Sequence, residues 1–214
     1  ALCARAVTPF GRVAAVCVWP RHVRTAVECL TGSGIDVATV VNFPSGDEPL
    51  DVVAAATATA IADGARDIDV VLPHRALRRG DVIEVERLLA AVRVAVPRDR
   101  VMKVILETGE MVDDRDIDEA ARLAIAAGAN FVKTSTGKSA VSATPRAVEV
   151  MLSVIRESGA DVGIKPSGGI RTLADARVYL DIADRMMGVH WVDPRHFRFG
   201  ASGLLDAILA ELSK

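Results

Sequence analysis

Two lysines end apolar strands in this chain, in Asn130-Phe131-Val132-Lys133-Thr134-Ser135-Thr136-Gly137 and in Gly163-Ile164-Lys165-Pro166-Ser167-Gly168-Gly169. Phe131, Val132 and Ile164 favour strand and the small residues after each lysine favour turns, so both amines are expected near strand C-terminal ends. An amine held out of water is partly neutral near pH 7. Only that neutral form attacks a carbonyl carbon to give a Schiff base. If both amines enter one pocket, mutual repulsion adds to desolvation. The bland alternatives are a strand-edge lysine reaching solvent for Lys133 and simple anion binding for Lys165. The residues themselves do not rank the two as nucleophile.

Carboxylates occur where proton transfer would need them. In Asp67-Ile68-Asp69-Val70-Val71-Leu72 a period of two puts both aspartates on one face, which makes Asp69 a candidate general acid/base. Lys103 and Glu107 share a face in Lys103-Val104-Ile105-Leu106-Glu107. The competing reading is a buried ion network joining Asp67 to Lys103, since an unpaired interior charge is too costly. Two glycine-bearing turns, Ser167-Gly168-Gly169-Ile170-Arg171 and Gly200-Ala201-Ser202-Gly203, each lead into a helix. Glycine lets main-chain N–H groups approach an anion, so the pair reads as a phosphate site, to which Gly137 and Lys138 could add. His22, His74, His190 and His196 show no metal spacing, and Cys17 reads as a packing residue on a buried strand.

The elements that must position these groups repeat. Helix-ending glycines fall at Gly34, Gly64, Gly128, Gly159 and Gly188, with Pro97 marking the stop missing from the long interval, so one helix–turn–strand unit recurs about every thirty residues. The expected strands are Ala14 to Trp19, Val37 to Phe43, Ile68 to Leu72, Val101 to Glu107, Phe131 to Ser135, Val162 to Lys165 and Phe197 to Gly200. Between them, Asp51 opens an alanine-rich helix ending near Asp63, and Thr172-Leu173-Ala174-Asp175 forms a capping box.

Alternation of this kind means parallel pairing, and strands apolar on both faces suit a sheet covered by helices. Uniform units favour an α/β fold of the (β/α)₈ TIM-barrel type over a doubly wound sheet. Only seven strands are found and the chain opens on Ala1, which leads to the expectation that the first strand is missing.

At 214 residues, half of them hydrophobic, one domain spanning 1–214 is expected. A formal net charge of −2 with scattered basic residues excludes an electrostatic footprint for nucleic acid and leaves a small-molecule partner. No apolar run approaches the roughly 20 residues that span a bilayer. Three cysteines, odd in number and without metal spacing, favour a reducing cytoplasm.

Six ordered blocks carry a resemblance. They are Val16-Cys17-Val18-Trp19-Pro20-Arg21, Val41-Asn42-Phe43-Pro44-Ser45-Gly46, Asp67-Ile68-Asp69-Val70-Val71, Lys103-Val104-Ile105-Leu106-Glu107-Thr108, Phe131 to Lys138, and Lys165-Pro166-Ser167-Gly168-Gly169-Ile170-Arg171-Thr172. The chain resembles the deoxyribose-phosphate aldolases, class I aldolases on a TIM barrel. The resemblance implies reversible cleavage of 2-deoxyribose 5-phosphate to glyceraldehyde 3-phosphate and acetaldehyde, without metal or organic cofactor.

It also implies roles: Lys133 as the Schiff-base lysine, Lys165 as its electrostatic partner and Asp69 as the acid/base group. Gly168, Gly169, Gly200 and Ser202 become phosphate-binding residues, with Gly137 and Arg171 as weaker members. A homodimer is a further expectation, although no sequence feature marks an interface. Against the family pattern, the first strand and a C-terminal tyrosine tail have no counterpart, and Gly203 stands where serine is frequent. A phosphosugar isomerase or epimerase using Asp69 and Glu107, or a non-catalytic phosphosugar-binding barrel, remains the alternative.

Overall fold

The computed structural model describes residues 2–214. A short 3₁₀ turn, Cys3–Arg5, precedes an antiparallel pair, β1 (Val7–Thr8) and β2 (Gly11–Arg12). Six parallel strands follow: β3 (Ala15–Val18), β4 (Asp36–Val41), β5 (Asp67–Val71), β6 (Val101–Ile105), β7 (Phe131–Lys133) and β8 (Gly163–Lys165). They lie side by side in chain order, as expected when each crossover helix returns the chain to the next position.

The helices are α1 (Val23–Leu30), α2 (Leu50–Ala62), α3 (His74–Arg78), α4 (Val82–Ala95), α5 (Asp114–Ala126), α6 (Pro145–Ser158), α7 (Leu173–Met187) and α8 (Gly203–Leu212). Their ends follow local chemistry. Thr144 accepts from the Ala147 N–H with Pro145 in the first turn of α6, and Gly159 closes that helix at φ +63°. Thr172 and Asp175 form the capping box of α7. Ile68, Val70, Met102, Val104, Val132 and Ile164 are fully buried in the core cluster with helix residues such as Leu89, Ala121 and Leu152. The alternate positions Asp67, Asp69, Lys103, Lys133 and Lys165 lie on the other face of the sheet, inside the curl.

Six of the seven expected strands form. The seventh, Phe197 to Gly200, makes only isolated parallel bridges, Phe197 with Ile164 and Ser167 with Gly200. Among the described residues nothing pairs it to β3, so the sheet is a curled, open part of a barrel. Two strands stop short of the expected ends for a backbone reason: Asn42 and Glu107 adopt φ +54° and +57°, which takes each chain out of the extended region after Val41 and Ile105. Asn42 tolerates this because its amide donates to Val71 O at 2.8 Å and accepts from the Glu48 N–H at 2.9 Å.

Candidate active site

Register and the curl of the sheet together bring the chemistry to one place. Asp69 lies opposite Lys103 across the β5–β6 ladder, and Lys133 lies opposite Lys165 across β7–β8. Lys133 Nζ donates to Asp69 Oδ2 at 2.9 Å, and Lys165 Nζ donates to the same oxygen at 2.8 Å. Lys103 Nζ donates to Asp69 Oδ1 at 2.9 Å and to Asp67 Oδ2 at 2.6 Å. Arg198 Nη1 reaches that same Asp67 oxygen at 3.1 Å. Four cationic side chains thus meet two carboxylates that have no exposed surface.

Burial alone would raise Asp69, but the ammonium groups of Lys103, Lys133 and Lys165 hold it well below the usual carboxylate range. Its resting form is therefore a carboxylate, a proton acceptor and counter-ion. Lys103 is 1% exposed, Lys133 5% and Lys165 8%, which leaves the last two as the amines nearer open space.

That space is a cavity of about 1030 Å³, lined by Lys103, Lys133 and Lys165 and by residues 167–171 and 199–203. The glycine turns are built for close approach. Gly168 and Gly169 have φ of +86° and +80°, and a Cβ on Gly168 would lie 2.5 Å from Ser142 Oγ. A Cβ on Gly200 would strike Ser167 Oγ. The Ser202 side chain makes no cap bond, so the first N–H groups of α8 have no side-chain acceptor there. Gly168, Gly169, Arg171, Gly200 and Ser202 therefore share one cavity with both strand-end lysines.

Gly137 and Lys138 do not line it. Lys138 is exposed, and its N–H is taken by Thr136 Oγ1 at 3.0 Å. Glu107 also points elsewhere: it accepts from Thr136 Oγ1, from the Thr136 N–H at 3.3 Å and from Ser139 Oγ at 3.0 Å, stapling the loop after β7. Cys17 is not the packing residue expected. It is open to the cavity, while the surrounding protein and the Asp69 carboxylate push its thiol up, away from the reactive thiolate.

His74 is buried with Nε2 on Ser45 O at 3.0 Å, and His196 stacks on Trp191 with Nε2 2.7 Å from Asp161. Among the described residues no three His, Cys, Asp or Glu side chains are grouped as metal ligands would be.

Sequence reasoning missed Arg198. The signal was present, since Phe197-Arg198-Phe199 sets a cation between two apolar residues of a strand-like segment, as at Lys133.

A curled parallel sheet with an amine–carboxylate cluster at the strand ends and glycine turns in the same cavity defines a barrel-type enzyme site. The chain belongs to the DeoC/LacD family of aldolases, whose family model matches residues 1–205. It is 50% identical over 213 residues to a protein of Agrobacterium fabrum (strain C58 / ATCC 33970) named deoxyribose-phosphate aldolase, covering 99% of this chain and 82% of that one.

Among solved structures, it is similar to the apo form of a Toxoplasma gondii ME49 protein provisionally named a deoxyribose-phosphate aldolase. The TM-score is 0.89 with 28% identity, covering 98% of this chain and 85% of that one. The tetrameric deoxyribose phosphate aldolase of Aeropyrum pernix matches with TM-score 0.74 and 27% identity, covering 92% and 76%. No helix among the described residues is long and apolar enough to cross a membrane.

Proposed function

We propose that this aldolase cleaves 2-deoxy-D-ribose 5-phosphate reversibly to D-glyceraldehyde 3-phosphate and acetaldehyde through a Schiff base on Lys133. The observation that carries the reading is the sharing of one buried carboxylate by two strand-end amines in a cavity that also holds the glycine turns.

The neutral Lys133 amine attacks C1 of the open-chain sugar, and loss of water from the carbinolamine gives a protonated imine. Removal of the proton from the C3 hydroxyl breaks the C2–C3 bond. Its electron pair moves into the imine to give an enamine, and glyceraldehyde 3-phosphate leaves. Protonation of the enamine at C2 and hydrolysis return the amine and acetaldehyde.

Asp69, working with a water, is the group that moves these protons. As the attacking amine and as the carbinolamine Lys133 carries no positive charge, so Asp69 then faces only the Lys103 and Lys165 cations and is the more basic for carbinolamine breakdown. The protonated imine restores the third cation before C2–C3 cleavage. Lys165 stays as the neighbouring charge, paired to Asp69 Oδ2. The substrate phosphate would sit against Gly168, Gly169, Gly200 and Ser202 at the start of α8, anchoring the chain so that orientation becomes rate. Arg171 is a secondary contact.

The isomerase alternative would need Glu107 beside Asp69, whereas Glu107 is committed to Thr136 and Ser139. Three free cysteines support a reducing, cytoplasmic setting, and a homo-oligomer accords with the tetramer described for the Aeropyrum pernix protein.

The test is turnover of 2-deoxyribose 5-phosphate, followed by release of both aldehydes. Wild type should release them in equal amounts. Absence of cleavage, or full cleavage by Lys133→Met, would refute the reading.

A further inference from the structure

We infer that Arg198 is a positioning residue for the amine cluster, setting through Asp67 the charge balance felt by Lys133. The inference rests on the Schiff-base reading of Lys133 and adds to it a group outside the reacting set. Arg198 enters from the segment beyond β8, where its N–H donates to Ile164 O at 3.1 Å. Its side chain is held from three directions. Nη1 lies 3.1 Å from Asp67 Oδ2, Nε donates to Pro194 O at 2.9 Å, and the guanidinium sits 4.8 Å from the centre of the Phe131 ring.

The Asp67 oxygen that takes Arg198 also takes Lys103, at 2.6 Å. Lys103 divides its ammonium between Asp67 and Asp69, and Arg198 is what lets it divide: with a second cation on Asp67, Lys103 need not serve that carboxylate alone. Removal of the guanidinium would draw Lys103 toward Asp67 and away from Asp69 Oδ1. Asp69 would then turn more fully to Lys133 and Lys165. One positive charge would also leave the cluster. Both changes favour the protonated amine at Lys133, the form that cannot attack a carbonyl. Asp67 Oδ1 is buried without a hydrogen-bond partner, so no spare donor stands ready to compensate.

Other titratable groups stand on the strands around Lys133. They are Asp69 on β5, Lys103 on β6, Lys165 on β8 and Cys17 on β3, while β4 presents uncharged Ala38 to the cavity. Glu107, two residues beyond β6, is turned to the loop after β7.

Competitive acetylation with acetic anhydride over a pH series, read at Lys133 by peptide mass spectrometry, reports the neutral amine without any turnover. Arg198→Met, which keeps the stem over Phe131, should move the Lys133 profile to higher pH, with about tenfold less labelling on its acid side. Arg198→Lys, which keeps the charge, should restore most of the wild-type profile. Asp67→Asn, which removes a negative charge, should move it to lower pH.

A wild-type profile in Arg198→Met, or an equal shift in Arg198→Lys, would overturn the inference. Should Arg198→Met fail to fold, an unmoved profile in Asp67→Asn overturns it instead. Borohydride trapping of wild type with acetaldehyde tests the Schiff-base reading separately. A shifted acetylation profile without a trapped adduct would sink that reading and leave the link through Asp67 standing.

Discussion

Lys133 Nζ and Lys165 Nζ converge on a single oxygen, Asp69 Oδ2, because β7 and β8 are in a register that makes the two lysines direct neighbours. Geometry therefore treats the two amines almost alike. Substitution separates the roles proposed for them. Lys133→Met is expected to lower kcat/KM by at least about 10³-fold, since the proposed nucleophile is gone. Lys165→Met removes only a neighbouring charge and should lower kcat by about 10²-fold while an adduct still forms on Lys133. Steady-state rates for the two variants, compared in one buffer, check this.

Asp69→Asn should be costly to the fold as well as to the chemistry. Three ammonium groups would lose their shared carboxylate in a site with no exposed surface on Asp69. Breaking a buried ion cluster by removing one partner costs about 3–5 kcal/mol. Urea unfolding of the variant against wild type gives the number.

The same carboxylate gives a pH dependence with a definite sign. Asp69 is held well below its ordinary value of 3.8 in the folded chain, so the folded state binds the proton less readily than the unfolded state. Its contribution to stability is complete above the unfolded value and is lost as pH falls through the folded one. Urea midpoints of wild type should therefore fall between about pH 5 and pH 2, and fall less in Asp69→Asn. Parallel curves for the two proteins would remove Asp69 from the acid response.

Gly168→Ala tests the proposed phosphate-binding turn. The new Cβ meets Ser142 Oγ at 2.5 Å and sits at φ +86°, where an L side chain is strained. KM for 2-deoxyribose 5-phosphate should rise about tenfold, because the lost interaction is with the anchored end of the substrate. Cleavage of unphosphorylated 2-deoxyribose should change much less.

Glu107→Gln keeps the size of the side chain and most of its contacts to Thr136 and Ser139. It should leave kcat within about tenfold of wild type, as expected for a loop staple and not for a group that moves protons. A loss as large as that of Asp69→Asn would revive the isomerase alternative.

Much of the site was legible because strand periodicity is a strong signal. Lys103, Asp69, Lys133 and Lys165 alternate with apolar residues, so their shared face followed from a period of two, and the repeat placed those faces around one sheet. The glycine turns were legible for the same reason, since each closes a strand and opens a helix. What failed to appear in the sequence depended on backbone conformation and on distant partners. The left-handed turn at Glu107 swings its carboxylate to the loop after β7, which no alternation pattern encodes. Cys17 sits on a strand that reads as buried, yet it faces the open side of the curl, a property of sheet closure and not of local sequence. Arg198 reaches a residue far away in the chain, so only the fold could pair it with Asp67.

The covalent imine proposed on Lys133 is read by borohydride reduction in the presence of acetaldehyde, followed by peptide mass spectrometry. The expected result is one reduced two-carbon adduct, mapped to Lys133 in the peptide that contains Phe131-Val132-Lys133. An adduct on Lys165, or none on either lysine in active protein, would contradict it.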